Sequence, residues 1–137
     1  MLKSNIFLDT NIVLDIIDSS RVNHPLAKEL WKLLVLNECE IMISEDILST
    51  IYYINKRKKE SLLFFQLIQK RWNIVPFGKD VIKNAIGVSL KENVDLEDVL
   101  QCLCAQENGC HMLITNDTGF YDCGVSICSI TEFLDMP

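Results

Sequence analysis

Apolar and polar positions along this chain switch repeatedly between two periods. Ile6, Phe7 and Leu8 form a short apolar run that predicts a strand; Asp9-Thr10-Asn11 follows at once, and then Ile12, Val13, Ile16 and Ile17 recur at helical spacing. That helix is expected to reach about Asp18, with a loop over residues 19–21. Residues 25–37 carry Leu26, Ala27, Leu30, Trp31, Leu33 and Leu34 on a helical period, and 39–43 read as a second strand. Ser44 suits a helix cap, with Glu45 and Asp46 in the first turn; the helix is expected to end in the basic run over 56–59. Helices over 60–70, 79–91 and 95–108, short strands over 72–75, 111–114 and 124–128, and a terminal turn or short helix over 131–134 complete the pattern. Such alternation predicts an α/β fold, three layers deep, around a mostly parallel central sheet of four to five strands. No repeat, low-complexity segment or linker interrupts it, so one domain over 1–137 is expected.

Composition narrows this picture. The chain is 49% hydrophobic, as globular proteins are. It has no apolar run near the ~20 residues of a membrane span and no long apolar segment at its start, so a cytoplasmic protein is expected. The net charge of −6 argues against gripping nucleic acid by a broad basic face. It leaves open an enzyme that reaches phosphates through metal ions. The six cysteines (39, 102, 104, 110, 123 and 128) mostly fall in apolar segments, and no Cys-x-x-Cys pair suggests zinc. They read as buried free thiols.

Three acids share one type of position. Asp9 directly follows the first strand, and Asp117 lies just beyond the fourth. Asp98 sits in the first turn of a helix that is apolar almost all round. In open parallel sheets, ligands bind beyond the carboxyl ends of the strands, the edge where these acids should gather. Each also has a plain structural role: Asp9 as an N-cap, Asp95 and Glu97 as a cap and a dipole complement, Asp117 as a turn residue. Gathering is what favours chemistry. Two carboxylates ~5 Å apart repel by roughly 3 kcal/mol at an effective dielectric of ~20. Three together call for a cation or a raised pKa. All-oxygen donors of this kind select Mg²⁺ or Mn²⁺.

Phe7-Leu8-Asp9-Thr10-Asn11, Asp95-Leu96-Glu97-Asp98-Val99-Leu100-Gln101 with Ala105, and Leu113-Ile114-Thr115-Asn116-Asp117 with Phe120 stand in this order along nearly the whole chain. The ordered set resembles the PIN domain, the fold of VapC-type toxin ribonucleases and related nucleases. The resemblance implies that Asp9, Asp98 and Asp117 bind one or two Mg²⁺ or Mn²⁺ ions, which activate water to cleave RNA. Asn11, Thr50, Thr115 and Asn116 would steady the ligands or the substrate. It also implies a homodimer and a small antitoxin partner. Trp31, Tyr52, Tyr53, Phe64 and Phe65 offer aromatic surface for association, or ordinary core packing.

Two positions depart from the family pattern. Thr50 stands where the family usually places a Glu, and Gly119 where many members carry an acid. Asp46, Asp95 and Glu97 are the spare acids nearby. A degenerate module that binds RNA or protein without cleaving it is therefore the alternative. A haloacid-dehalogenase-type phosphatase fits less well, because Asn11 occupies the place of its second Asp. The basic residues 56–59 are either a phosphate contact or a solvated helix end.

Overall fold

The computed structural model describes residues 4–137; residues 1–3 of the expected domain lie outside it. Strand β1 (Asn5–Leu8) leads into helices α1 (Thr10–Ile17) and α2 (His24–Leu36). Then come β2 (Glu40–Ser44), α3 (Asp46–Ile54), α4 (Lys58–Gln69) and β3 (Asn73–Val75). Helices α5 (Lys79–Glu92) and α6 (Leu96–Glu107) precede β4 (Met112–Ile114), β5 (Ser126–Cys128) and α7 (Ile130–Leu134). All pairings in the five-stranded sheet are parallel, in the order β3-β2-β1-β4-β5.

Alternation along β1 divides the interior in two. Ile6 and Leu8 face a core built with Ile12, Leu30, Ile47, Ile51 and Ile68 from α1 to α4, joined by Ile130 of α7. Phe7 faces the other way, with Met42 and Leu113, onto Cys102, Cys104 and Ala105 of α6. Helices therefore cover both faces, and strands buried on both sides read as continuous apolar runs. Chain order reverses where β1 lies between β2 and β4. The carboxyl ends of β1 and β4 are thus the switch point of the sheet, where such folds bind ligands.

Several expectations need correction. The helix after β2 ends at Ile54, before the basic run. Asn55 turns out of it with extended backbone and a buried side chain, donating to Ser61 Oγ (3.0 Å) and accepting from Arg57 N (3.2 Å). Lys58 and Lys59 consequently begin α4 rather than close α3. Lys58 reaches back to cap α3, donating to Tyr53 O (3.2 Å) and Tyr52 O, with its ammonium 4.8 Å from the Tyr52 ring centre. Ser44 is not the cap of α3; Glu45 holds that place. The aromatic residues divide: Trp31, Phe64 and Trp72 stack edge-on in one core, with centroids 5.7 Å apart. Tyr52 and Tyr53 are 40% and 86% exposed. Finally, Cys102 and Cys123 form a disulfide, so the cysteines are not all free thiols. Burial pushes the thiols of Cys104, Cys110 and Cys128 up to about 12, 11 and 11, which keeps them protonated and inert.

Candidate active site at the switch point

Asp9 caps α1 at the carboxyl end of β1. Its backbone N–H donates to Ile114 O (3.1 Å), which extends the β1–β4 pairing by one bond and fixes the residue between the two strands. Its Oδ1 accepts from Thr10 N (2.8 Å), and its Oδ2 accepts from the buried Thr115 hydroxyl (2.8 Å). The cap role and the site role coincide in one carboxylate. Thr115 Oγ1 also accepts from Asp117 N (3.1 Å), so a single hydroxyl fixes one acid and the backbone of another. Asp117 Oδ1 accepts from Gly119 N (2.9 Å), which turns the loop back on itself.

Helix α6 enters from the other side. Asp95 caps it, accepting from Asp98 N (3.1 Å). This leaves Glu97 and Asp98 in the first turn, pointing with the helix start towards the strand ends. A cavity of about 150 Å³ results, lined by Asp9, Thr10, Asn11, Leu14, Thr50, Ile54, Glu97, Asp98 and Asp117. Asp9, Asp98 and Asp117, far apart in sequence, thus border one space. Asn11 and Thr50 border it too; Thr115 supports it from below.

The remaining expected residues fare differently. Asn116 turns away: its Oδ1 accepts from Ile130 N (3.1 Å) and anchors α7, because the loop after β4 must also tie down the terminal helix. Asp95 is occupied as the cap. Asp46 accepts from the Ser44 hydroxyl and does not line the cavity. Glu97, equally well read as a dipole complement, lines it and accepts from Thr10 Oγ1 (3.3 Å). Sequence reasoning gave no site role to Thr10, Ser44 or Gln101. Gln101 is fully buried and donates from Nε2 to Ser44 Oγ (3.0 Å) and, at 3.5 Å, to Thr10 Oγ1. The available signal was a lone amide on an otherwise apolar stretch of α6.

Electrostatics reflect the crowding. Burial, and then the charges of Asp95, Asp117, Asp9 and Glu97, push Asp98 up from 3.8 to about 7. Burial also raises Asp9, opposed by the Thr115 and Thr10 hydrogen bonds, with Asp117 and Asp95 adding to the rise. Glu97 is raised by burial and by Asp46. Among the described residues, no three His, Cys, Asp or Glu side chains are grouped tightly enough to hold a metal ion as they stand. The acids border the cavity from different walls. In kind, though, the donor set fits a hard cation: oxygen only, like-charged, and placed where Asp98 resists ionising without positive charge nearby.

A PIN domain family model matches residues 6–125, and the chain belongs to that family. Ribonuclease VapC1 of Aquifex aeolicus (strain VF5) is 32% identical over 139 residues, covering 98% of this chain and 96% of the relative. Among solved structures, the Mycobacterium tuberculosis VapC20 toxin, described as cleaving the sarcin-ricin loop, superposes with a TM-score of 0.72 at 16% identity, covering 88% of this chain and 95% of that one. A toxin–antitoxin complex from Klebsiella pneumoniae gives 0.69 at 19% identity, covering 91% and 97%. Among the described residues, no helix is long and apolar enough to cross a membrane.

Proposed function

We propose that this chain is a VapC-type toxin ribonuclease that hydrolyses phosphodiester bonds of RNA with the help of Mg²⁺ or Mn²⁺. One observation carries the reading: Asp9, Asp98 and Asp117 border a single cavity at the switch point of a PIN-family sheet. Asp9, Asp98 and Asp117 would hold the ion. When bound, it would lower the pKa of a coordinated water and offset charge on the phosphate oxygens. Thr115 and the Thr10 N–H keep Asp9 from rotating. A cation nearby would favour the ionised form of Asp98, so its proton and the metal should compete. Asn11, exposed and lining the cavity, would contact RNA. We further infer an antitoxin partner and a cytoplasmic location, on the strength of the VapC relative and the toxin–antitoxin neighbour.

The non-cleaving alternative draws its support from Thr50, whose hydroxyl donates to Asp46 O (3.3 Å) and brings no charge to the cavity. The deciding experiment incubates the purified chain with single-stranded and structured RNA, with Mn²⁺ or with EDTA. Cleavage in Mn²⁺ that EDTA abolishes supports the nuclease. RNA that binds but stays intact in Mn²⁺ supports the module.

A further inference from the structure

We propose that Glu97 supplies from α6 the fourth carboxylate that Thr50 leaves missing on α3, and that the buried Gln101 amide positions it. The inference rests on the reading of this cavity as a cation-binding nuclease site.

The three spare acids can be separated by what their oxygens do. Asp95 caps α6 and lies outside the cavity lining. Asp46 accepts from Ser44 and also lies outside it. Glu97 alone of the three borders the same space as Asp9, Asp98 and Asp117. A helix cap or dipole partner needs no tertiary contact, yet Glu97 Oε1 accepts from Thr10 Oγ1 (3.3 Å), a residue 87 positions away on α1. Thr10 directly follows Asp9, so this bond joins the Glu97 carboxylate to the segment that carries the buried acid of the cavity.

Gln101 explains how that bond keeps its direction. It lies four residues after Glu97 on α6, hence on the same helix face. The two hydrogens of its Nε2 meet two hydroxyls, Ser44 Oγ and Thr10 Oγ1. Each hydroxyl, thus occupied as an acceptor, passes its own hydrogen to a carboxylate: Thr10 to Glu97 and Ser44 to Asp46. Among the described residues, none pairs with the buried Gln101 Oε1. Leaving a buried polar atom unpaired costs about 1–3 kcal/mol, so a Leu or Met would pack here more cheaply. An amide that orients two hydroxyls is a reason for a polar residue at this place. Gln101 is a positioning residue; Glu97 would touch the ion.

The test is calorimetric titration of the full-length apoprotein with Mn²⁺. Wild type is compared with Glu97→Gln, Glu97→Asp, Gln101→Met and the double variant Thr50→Glu/Glu97→Gln. Circular dichroism checks that each is folded. Glu97→Gln should weaken Mn²⁺ binding by about tenfold or more, Glu97→Asp by less, and Gln101→Met by a smaller factor than Glu97→Gln. Moving the charge back to α3 in the double variant should recover most of the loss. Unchanged affinity in both Glu97 variants, while Asp98→Asn loses binding, overturns the proposal and leaves the metal site standing. A wild type that takes up no Mn²⁺ overturns both.

Discussion

Asp9 and Asp98 border one cavity, yet the fold treats them in opposite ways. Asp9 is 7% exposed, and each of its carboxylate oxygens accepts a hydrogen bond, one from backbone and one from a buried hydroxyl. Asp98 is half-buried, and among the described residues no hydrogen bond reaches its carboxylate. Burial raises both pKa values, but the bonds to Asp9 oppose the rise, whereas Asp98 climbs to about 7 with four acids around it. The sheet edge thus supplies an anchor held by two hydrogen bonds, and the start of α6 supplies an acid whose charge depends on what else is present.

The sharpest way to break this contrast is to remove the anchor. Asp9→Asn should lower Mn²⁺-dependent RNA cleavage by more than about 100-fold while the melting temperature stays near wild type. Equal cleavage by both proteins would refute the anchor role. The next effect concerns the tether between the two walls. The Cys102–Cys123 disulfide joins α6 to the loop that leaves Asp117, closing a separation of 21 residues. Chain-entropy reasoning gives the bond about 3 kcal/mol. Cys123→Ser should therefore unfold at clearly lower urea than the oxidised wild type, and matching midpoints would count against the tether.

A milder disturbance leaves Asp9 in place but frees it. Thr115→Val removes one of its hydrogen bonds and the support of Asp117 N. Mn²⁺ affinity should fall about 10- to 100-fold, with stability reduced by about 1–3 kcal/mol. An unaltered Mn²⁺ titration would mean that the hydroxyl does not orient the carboxylate.

The smallest effect reads Asp98 itself. Its folded pKa of about 7 lies above the ordinary 3.8, so folded chains hold the proton in a window where unfolded chains have lost it. The metal-free protein should accordingly lose stability as pH rises from about 4 to about 7, and level off above. Asp98→Asn should flatten that slope and melt above wild type at pH 8. With Mn²⁺ the sign reverses, because binding needs the ionised acid: added Mn²⁺ should raise the melting temperature more at pH 8 than at pH 5. Thermal melts across this range check both arms. A metal-free protein that gains stability towards neutrality would contradict the assignment.

The contrast between the two walls also marks where sequence reading stops. The strands were legible because burial on both faces gives unbroken apolar runs, and Asp9 and Asp117 because each directly follows one. Asp98 was legible as an acid opening an apolar helix. Local pattern could not separate Glu97 from Asp95, since both suit a first turn. The rotation of α6 against α1 decides which one meets the cavity, and only tertiary packing sets that rotation. The end of α3 was misplaced for a related reason. Ile54 continues the helical period, and the turn at Asn55 is held by Ser61, a partner six residues further on. The Cys102–Cys123 pair and the turn of Asn116 towards α7 likewise depend on contacts across the chain.

The most direct test of the central claim is a crystal soaked in Mn²⁺ and measured at a wavelength where manganese scatters anomalously. The account predicts an anomalous peak within coordination distance, about 2.0–2.3 Å, of carboxylate oxygens from Asp9, Asp98 and Asp117. A crystal saturated with Mn²⁺ that shows no peak in this cavity, or one only at surface acids elsewhere, would contradict it.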